Sequence, residues 1–194
     1  MAAAAFRFCA GYGIGVWSAP YFRGAFPGFE AQYAIINACV VAGGGVASSL
    51  LGGYLSDRFA AKDPRVRAWV PMAGSLLAIP CWMGAVSEIG GFYEAMAFLL
   101  VEYVVAECWF GPTVTILQGA VPPDVRGTAQ GAFSTLTAFG NVAPVVFGAL
   151  TSQGAPLRDV LFWGVSLCYA ASAVAFFATG QSLLADDVNT RKMV

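Results

Sequence analysis

The sequence contains no histidine, and only 11% of its 194 residues are charged, whereas soluble domains carry about a quarter. The missing histidine excludes membrane proteases that pair a serine with a histidine, and the common histidine-based metal hydrolases. The three glycines at 43–45 are not followed by the Lys-Ser/Thr of a phosphate-binding loop. We therefore expect no enzyme, no metal site and no cofactor.

Cysteine pairs and basic arms are also missing. The five cysteines are widely spaced in apolar runs without any Cys-x-x-Cys motif, which predicts small apolar packing residues rather than ligands or disulfides. They are Cys9, Cys39, Cys81, Cys108 and Cys168. The net charge of −1, with no basic segment interleaved with aromatic residues, predicts no nucleic-acid partner.

Long uncharged runs are abundant instead. Residues 31–55, 68–87, 127–157 and 160–185 carry no charge, and a membrane-spanning helix needs only ~20 mostly apolar residues. The sequence therefore predicts an all-α membrane protein with six transmembrane helices that form one bundle over 1–185, embedded in the lipid bilayer, followed by a polar cytosolic tail over 186–194. The predicted spans are 6–26, 32–54, 68–87, 92–120, 127–152 and 160–180.

The basic residues predict the orientation of these spans. Four of the ten lie in the connection between the second and third spans, at Arg58, Lys62, Arg65 and Arg67. If this connection is cytosolic, seven basic residues lie on the cytosolic side and only two, Arg23 and Arg158, on the other. We therefore expect a multi-pass integral membrane protein with both termini on the cytosolic side.

Polar side chains form stripes on the first, second, fourth and fifth spans, while the third and sixth carry no charge and few polar groups. In the fifth span, four polar residues share one face by spacing, and they fit a cavity as well as interhelical packing. They are Gln130, Ser134, Thr137 and Asn141. The fourth span places Glu107 in line with Gln118, the first span carries Arg7, and the second carries Asn37.

Two carboxylates in the middle of the fourth span suggest a functional site. A charge in the hydrocarbon region costs several kcal/mol unless it faces a cavity or a partner. Glu107 is the first candidate for a cavity residue and Glu102 the second; the alternative for either is a structural hydrogen bond or a position near the interface.

The segment at the end of the second span resembles the G-x-L-[SA]-D-R loop motif of the major facilitator superfamily. The matching residues are Gly53, Leu55, Ser56, Asp57 and Arg58. The trailing Gly-Arg-Arg of that motif is replaced by other residues at 59–62. The resemblance implies that the motif acid holds the inner gate shut by meeting the positive end of a helix in the opposite six-helix half.

The similarity extends over residues 6–180 and includes 8–20, 63–80, 110–118 and 121–148, which resemble the second half of spinster-type facilitators. This family transports lysophospholipids and sphingoid lipids by alternating access, so the resemblance implies an amphiphilic lipid or small organic solute. It implies that Arg7 pairs with an anionic headgroup or an acidic partner. Glu107, or Glu102 as second choice, would then serve proton coupling or bind a cationic group. Substrate hydrogen bonds would come from Asn37, Gln118, Gln130 and Asn141, with Ser134 on the same cavity.

One departure leaves the function open. A complete facilitator has two six-helix halves, and this chain has one. We expect either a second half, from the same or another chain, or a place within a larger membrane complex. The alternative function is therefore a non-transporting structural or accessory subunit.

Overall fold

A computed structural model describes the backbone of residues 1–192 and the side chains of residues 1–185. The described chain is helical, without any strand, and it forms six helical segments. These are α1 (Ala2–Ala25), α2 (Glu30–Ala60), α3 (Val66–Ala85), α4 (Phe92–Gly119), α5 (Pro123–Ser152) and α6 (Leu157–Lys192). The predicted polar tail, 186–194, lies outside the residues whose side chains are described.

Five of the six helices have the length and apolar composition of a membrane span: α2, α3, α4, α5 and α6. The 24-residue α1 is long enough to cross. It is less apolar because it carries Arg7 and several glycines. The predicted all-α membrane fold is thus confirmed, with five spans by composition, and the crossing of α1 stays a prediction.

Two helices are interrupted where proline removes a backbone donor. In α4 a single 3₁₀ turn, Glu107–Trp109, separates two α-helical pieces, and Pro112 has no N–H for the Cys108 carbonyl one turn earlier. In α5 the helix breaks at Asn141, where Pro144 likewise leaves a carbonyl without its helical partner. The first of these interruptions lies at the candidate site.

The helix α2 contains a different irregularity. Its α-helical pieces, Glu30–Cys39 and Gly45–Ala60, are joined by a π-helical turn over Val40–Gly44. Such a turn inserts one extra residue into the helix and rotates the residues beyond it. The polar residues before and after this turn therefore do not share the single face that an uninterrupted helix would give them.

The core is built around α6, which packs against α1 and α3, while α3 also packs against α4. Trp82 is fully buried and donates from Nε1 to the carbonyl oxygen of Leu161 at 2.9 Å, which joins α3 to α6. A smaller aromatic cluster contains Trp109, Phe133 and Phe176. The core therefore lies on the side of the bundle where α6 packs, and it holds in place the helices α1 and α4, which carry the candidate site.

The helices α2 and α4 approach each other closely at Gly52. A Cβ atom at this position would overlap the backbone carbonyl group of Cys108, whereas one at Gly53 would meet nothing within 4 Å. Gly52 thus permits the contact of α2 with the 3₁₀ turn of α4, as small residues do between membrane helices.

Candidate functional site

The site is centred on Arg7, which α1 holds almost completely buried, with 1% of its surface exposed. Its Nη2 donates to the carbonyl oxygen of Ala106 at 3.0 Å and to Oε1 of Glu107 at 3.1 Å. The Ala106 carbonyl is accessible to a side chain because α4 leaves its α-helical form at Glu107. A buried guanidinium needs such partners, since an isolated buried charge is strongly unfavourable.

Two aromatic rings complete the surroundings of Arg7. The guanidinium carbon lies 4.6 Å from the centroid of the Tyr169 ring and 5.7 Å from that of Trp109. Both distances are within the range of cation–π attraction. The Tyr169 hydroxyl donates to Oε1 of Glu102, which is itself 1% exposed. Arg7 is therefore linked to one glutamate directly and to the other through a tyrosine.

The two glutamates differ in access. The Glu107 side chain is 34% exposed and lines a cleft of ≈ 340 Å³ together with residues of α1, α2 and α4. Glu102 lies behind Tyr169 and does not line this cleft. The cleft is lined by Arg7, Phe8, Gly11, Tyr12, Ser49, Tyr103, Glu107, Trp109 and Phe110. It thus combines one ion pair with mostly aromatic walls.

Most of the other predicted cavity residues lie away from this cleft. Gln118, Ser134 and Asn141 are exposed, while Asn37 and Gln130 are half-buried, and none of the five lines the cleft. On α5 the stripe bonds to its own helix: Ser134 donates to the Gln130 carbonyl at 3.0 Å, and Asn141 to the Thr137 carbonyl at 3.2 Å. The structure brings together Arg7, Glu107 and, through Tyr169, Glu102.

The predicted gate motif lies at the end of α2. Ser56 is buried, whereas Leu55, Asp57 and Arg58 are exposed. Arg58 donates from Nη1 to the Tyr54 hydroxyl at 2.5 Å. Among the described residues, Asp57 makes no hydrogen bond or salt bridge. Its carboxylate is therefore exposed and unpaired within this part of the chain.

The connection after the motif is fixed by a local ion pair. Arg65 donates from Nη2 to Asp63 Oδ2 at 2.8 Å, and its backbone N–H donates to Asp63 Oδ1 at 2.9 Å. These hydrogen bonds lower the pKa of the Asp63 carboxyl group. The Arg65 guanidinium also lies 4.5 Å from the Trp69 ring centroid, so the start of α3 is anchored.

Sequence reasoning missed Tyr169 and Trp109. Both have large, mostly apolar rings, so a search for charged or amide side chains does not select them. The helix α6, which carries Tyr169, has no charge within its span. One signal was present: Ser166, Tyr169 and Ser172 recur at three-residue spacing, and all three are buried on α6. Ser172 donates to the carbonyl oxygen of Ala3 at 3.1 Å, which ties this face to α1.

Comparison with known proteins places this geometry in context. No protein-family model matches the chain. It is 29% identical over 158 residues to a protein of Mycolicibacterium smegmatis named as an MFS-type efflux pump, covering 79% of this chain and 36% of that protein. The identity is low, but the aligned region extends over most of the chain.

Two solved structures share the fold. Both are of a bacterial homolog of the human lysosomal transporter Spinster, inward-facing, one unoccupied and one occupied. Their TM-scores are 0.68 and 0.55 at 21% identity, and the match covers 93% of this chain but only 45% and 46% of theirs.

The predicted similarity is therefore confirmed, in fold to the bacterial Spinster homolog and in sequence to an MFS-type efflux pump. The chain spans less than half the length of the relatives that it matches. Its assignment to the second half rather than the first stays a prediction.

Proposed function

We propose that this chain is one half of a transporter of the major facilitator type, which moves a lipid-like or small organic solute by alternating access. The observation that carries the proposal is the Arg7–Glu107 ion pair on the wall of a cleft between helices of a membrane bundle. Ionisable residues at such positions mark substrate and ion pathways in membrane proteins. Similarity to named transporters supports the same function.

The chemistry of the cleft suits an amphiphile. Phe8, Tyr12 and Phe110 offer rings to an apolar body, while Arg7 and Glu107 offer charges to its polar end. When a proton reaches the partly exposed Glu107, the pair loses its attraction and the Arg7 guanidinium becomes available to an anionic group. A proton on Glu107 and an anion on Arg7 would thus favour each other, and this mutual effect is the coupling that a proton-linked transporter needs.

Alternating access requires a second half, which we propose faces the cleft. Helices α2 and α5 expose large apolar side chains, including Ile35, Leu50, Phe139 and Val145. In the proposed arrangement Asp57 meets a helix end of the opposite half at the cytosolic gate. The second half would come from the same protein, from a second copy or from another chain.

Native mass spectrometry of the protein extracted in mild detergent from its source membrane tests the assembly. We expect two six-helix halves, as one longer chain, as a dimer or with one second chain of similar size. Detection only within a large multi-subunit complex would favour the alternative, a non-transporting accessory subunit, and Asp57 would then be sought at a subunit contact.

Flux through vesicles containing the assembled protein tests the site. We expect Glu107→Gln to abolish the pH dependence, because the amide takes up no proton. The rate should fall roughly tenfold or more, because the variant cannot re-form the charged pair that displaces the anion from Arg7, a charge-assisted bond worth about 1.5–3 kcal/mol. A lysophospholipid and a small organic dye serve as the two substrate probes.

The matched control for this experiment is Glu94→Gln, because Glu94 lies exposed in the first turn of the same helix. Its flux should equal that of the unmodified protein. Unchanged rate and pH dependence in Glu107→Gln would contradict the role of Glu107, and Glu102→Gln would then be the next variant to measure.

A further inference from the structure

Tyr169 makes two different contacts at the centre of the site. Its hydroxyl donates to Oε1 of Glu102, and its ring covers the Arg7 guanidinium at 4.6 Å. The side chain is 1% exposed, so water does not compete for either contact. The hydroxyl and the ring of Tyr169 therefore each contact a charged side chain, and the tyrosine connects Glu102 to Arg7.

The same pocket contains buried polar atoms that lack partners. Among the described residues, Nε and Nη1 of Arg7 donate to nothing, and Oε2 of Glu102 accepts nothing. These are two donors and one acceptor of opposite charge, and leaving a buried charged group without a partner is unfavourable. Arg7 and Glu102 thus have the means to pair with each other, yet Arg7 pairs with Glu107.

We propose that Tyr169 is a positioning residue that decides which of the two glutamates Arg7 pairs with. Its hydroxyl occupies Glu102, and its ring holds the guanidinium plane against α6, so that Nη2 stays on Ala106 and Glu107 at the cleft. Without the hydroxyl, Glu102 has no donor and attracts Arg7. Arg7 then leaves Glu107, and the cleft loses its ion pair.

This inference relies on the proposed function only for its biological meaning. It concerns an ion pair that can be observed without transport, so its test stands even if flux is never found. If transport is confirmed and the test fails, the cleft is functional but Tyr169 does not control it.

Carboxyl labelling with a carbodiimide and an amine, followed by mass spectrometry, measures the pairing of Glu107 in the full protein in lipid nanodiscs. In the unmodified protein Arg7 protects Glu107. We expect Tyr169→Phe, which keeps the ring and removes only the hydroxyl, to raise labelling of Glu107 several-fold. Adding Glu102→Gln should restore the original labelling, because a neutral amide does not attract Arg7.

Tyr93→Phe is the matched control, since it removes the hydroxyl of an exposed tyrosine on α4 and should leave Glu107 labelling unchanged. Unchanged labelling in Tyr169→Phe would overturn the proposal, and so would a rise that Glu102→Gln does not reverse.

A variant that keeps Tyr169 guards against misfolding of Tyr169→Phe. Glu102→Gln alone retains an oxygen that can accept from the tyrosine hydroxyl, so Glu107 should stay as protected as in the unmodified protein, or become more protected. A several-fold rise in this variant would show that Glu102 does not compete for Arg7, and it would overturn the proposal by itself.

Discussion

At the scale of single residues, the arrangement around Arg7 shows how an arginine is tolerated inside a membrane bundle. One guanidinium nitrogen is satisfied by a carbonyl oxygen and a carboxylate, and the flat faces are covered by Tyr169 and Trp109. A lysine offers no planar surface that aromatic rings can stack on. The site therefore depends on the geometry of arginine and not only on its charge.

The Asp63–Arg65 pair gives a pH-dependent contribution to stability outside the spans. Because the pKa of Asp63 is lowered in the folded state, its stabilisation is complete above the ordinary aspartate value of 3.8 and is lost as the pH falls through the still lower folded value. We expect Asp63→Asn to lower the thermal midpoint slightly at neutral pH and to weaken the decline below pH 3.8.

Thermal unfolding in detergent across this pH range measures the effect. Asp124→Asn is the control, because this exposed aspartate in the first turn of α5 makes no hydrogen bond to the described residues and should keep the full acid-side decline. If the thermal midpoint of Asp63→Asn falls in acid as steeply as that of the unmodified protein, the Asp63–Arg65 pair does not contribute to stability as proposed.

The residues of the site were only partly predictable. Arg7 and Glu107 stand out in the sequence because each is a charged residue in an apolar run. The free-energy cost of a charge in the hydrocarbon region is enough to indicate a functional position. Their pairing across 100 positions, and the choice of Tyr169 as the contact of Glu102, depend on how three helices pack. No periodicity within one helix contains that information.

At the scale of helices, interruptions position the site as much as the helices do. Pro112 and the 3₁₀ turn at Glu107–Trp109 place the glutamate and the tryptophan of α4 on Arg7. The π-helical turn in α2 and the break at Asn141 rotate the polar residues beyond them. Proline predicts the first and third of these from sequence, but the rotation of each face is determined only by the backbone.

The close contact of α2 with the 3₁₀ turn of α4 predicts that a small substitution at this contact strongly lowers stability. We expect Gly52→Ala to cost about 1–3 kcal/mol in stability, because its methyl group would overlap the Cys108 backbone, which cannot move without shifting α4. The neighbouring Gly53→Ala has open space at the Cβ position and should be neutral or stabilising by up to about 1 kcal/mol.

Chemical or thermal unfolding of the two variants side by side provides the measurement. Helix propensity favours alanine equally at both positions, so the difference between them isolates the packing term. Equal stability of the two alanine variants would mean that α2 and α4 are not in close contact at Gly52 in the membrane.

The polar stripes illustrate the limit of helical periodicity. Polar stripes occur on α1, α2, α4 and α5, and the first three of these helices do line the cleft. The stripe on α5 instead satisfies its own backbone, and α6, with no charge in its span, supplies Tyr169. A stripe indicates which residues share a face, but it does not indicate what that face meets.

At the scale of the whole molecule, the question is whether α1 crosses the membrane with the other helices. Its first residues, Met1 and Ala3, share a cavity with Ala120, just past the end of α4. Near its other end, Phe26 packs on Phe92, the first residue of α4, with ring centroids 5.8 Å apart. The two ends of α1 therefore lie at opposite ends of α4, which is an antiparallel arrangement, and we expect α1 to cross wherever α4 crosses.

This geometry and the positive-inside count together predict a definite topology. The basic connection after α2 and the start of α1 should lie on the cytosolic side, while the connection after α1 and the start of α6 should lie opposite. Single cysteines placed in a background without the five native ones report the side. Suitable exposed positions are Ala2, Pro27, Lys62 and Asp159.

An impermeant thiol reagent added to intact cells and to inverted vesicles distinguishes the possible outcomes. Ala2→Cys and Lys62→Cys should react from the cytosolic side only, and Pro27→Cys and Asp159→Cys from the other side only. Reaction of Ala2→Cys and Pro27→Cys from the same side would mean that α1 does not cross, and Arg7 would then lie at an interface rather than in a transport pathway. If all four positions exchange sides, the six-helix bundle and the site remain, and only the orientation inferred from the basic residues is wrong.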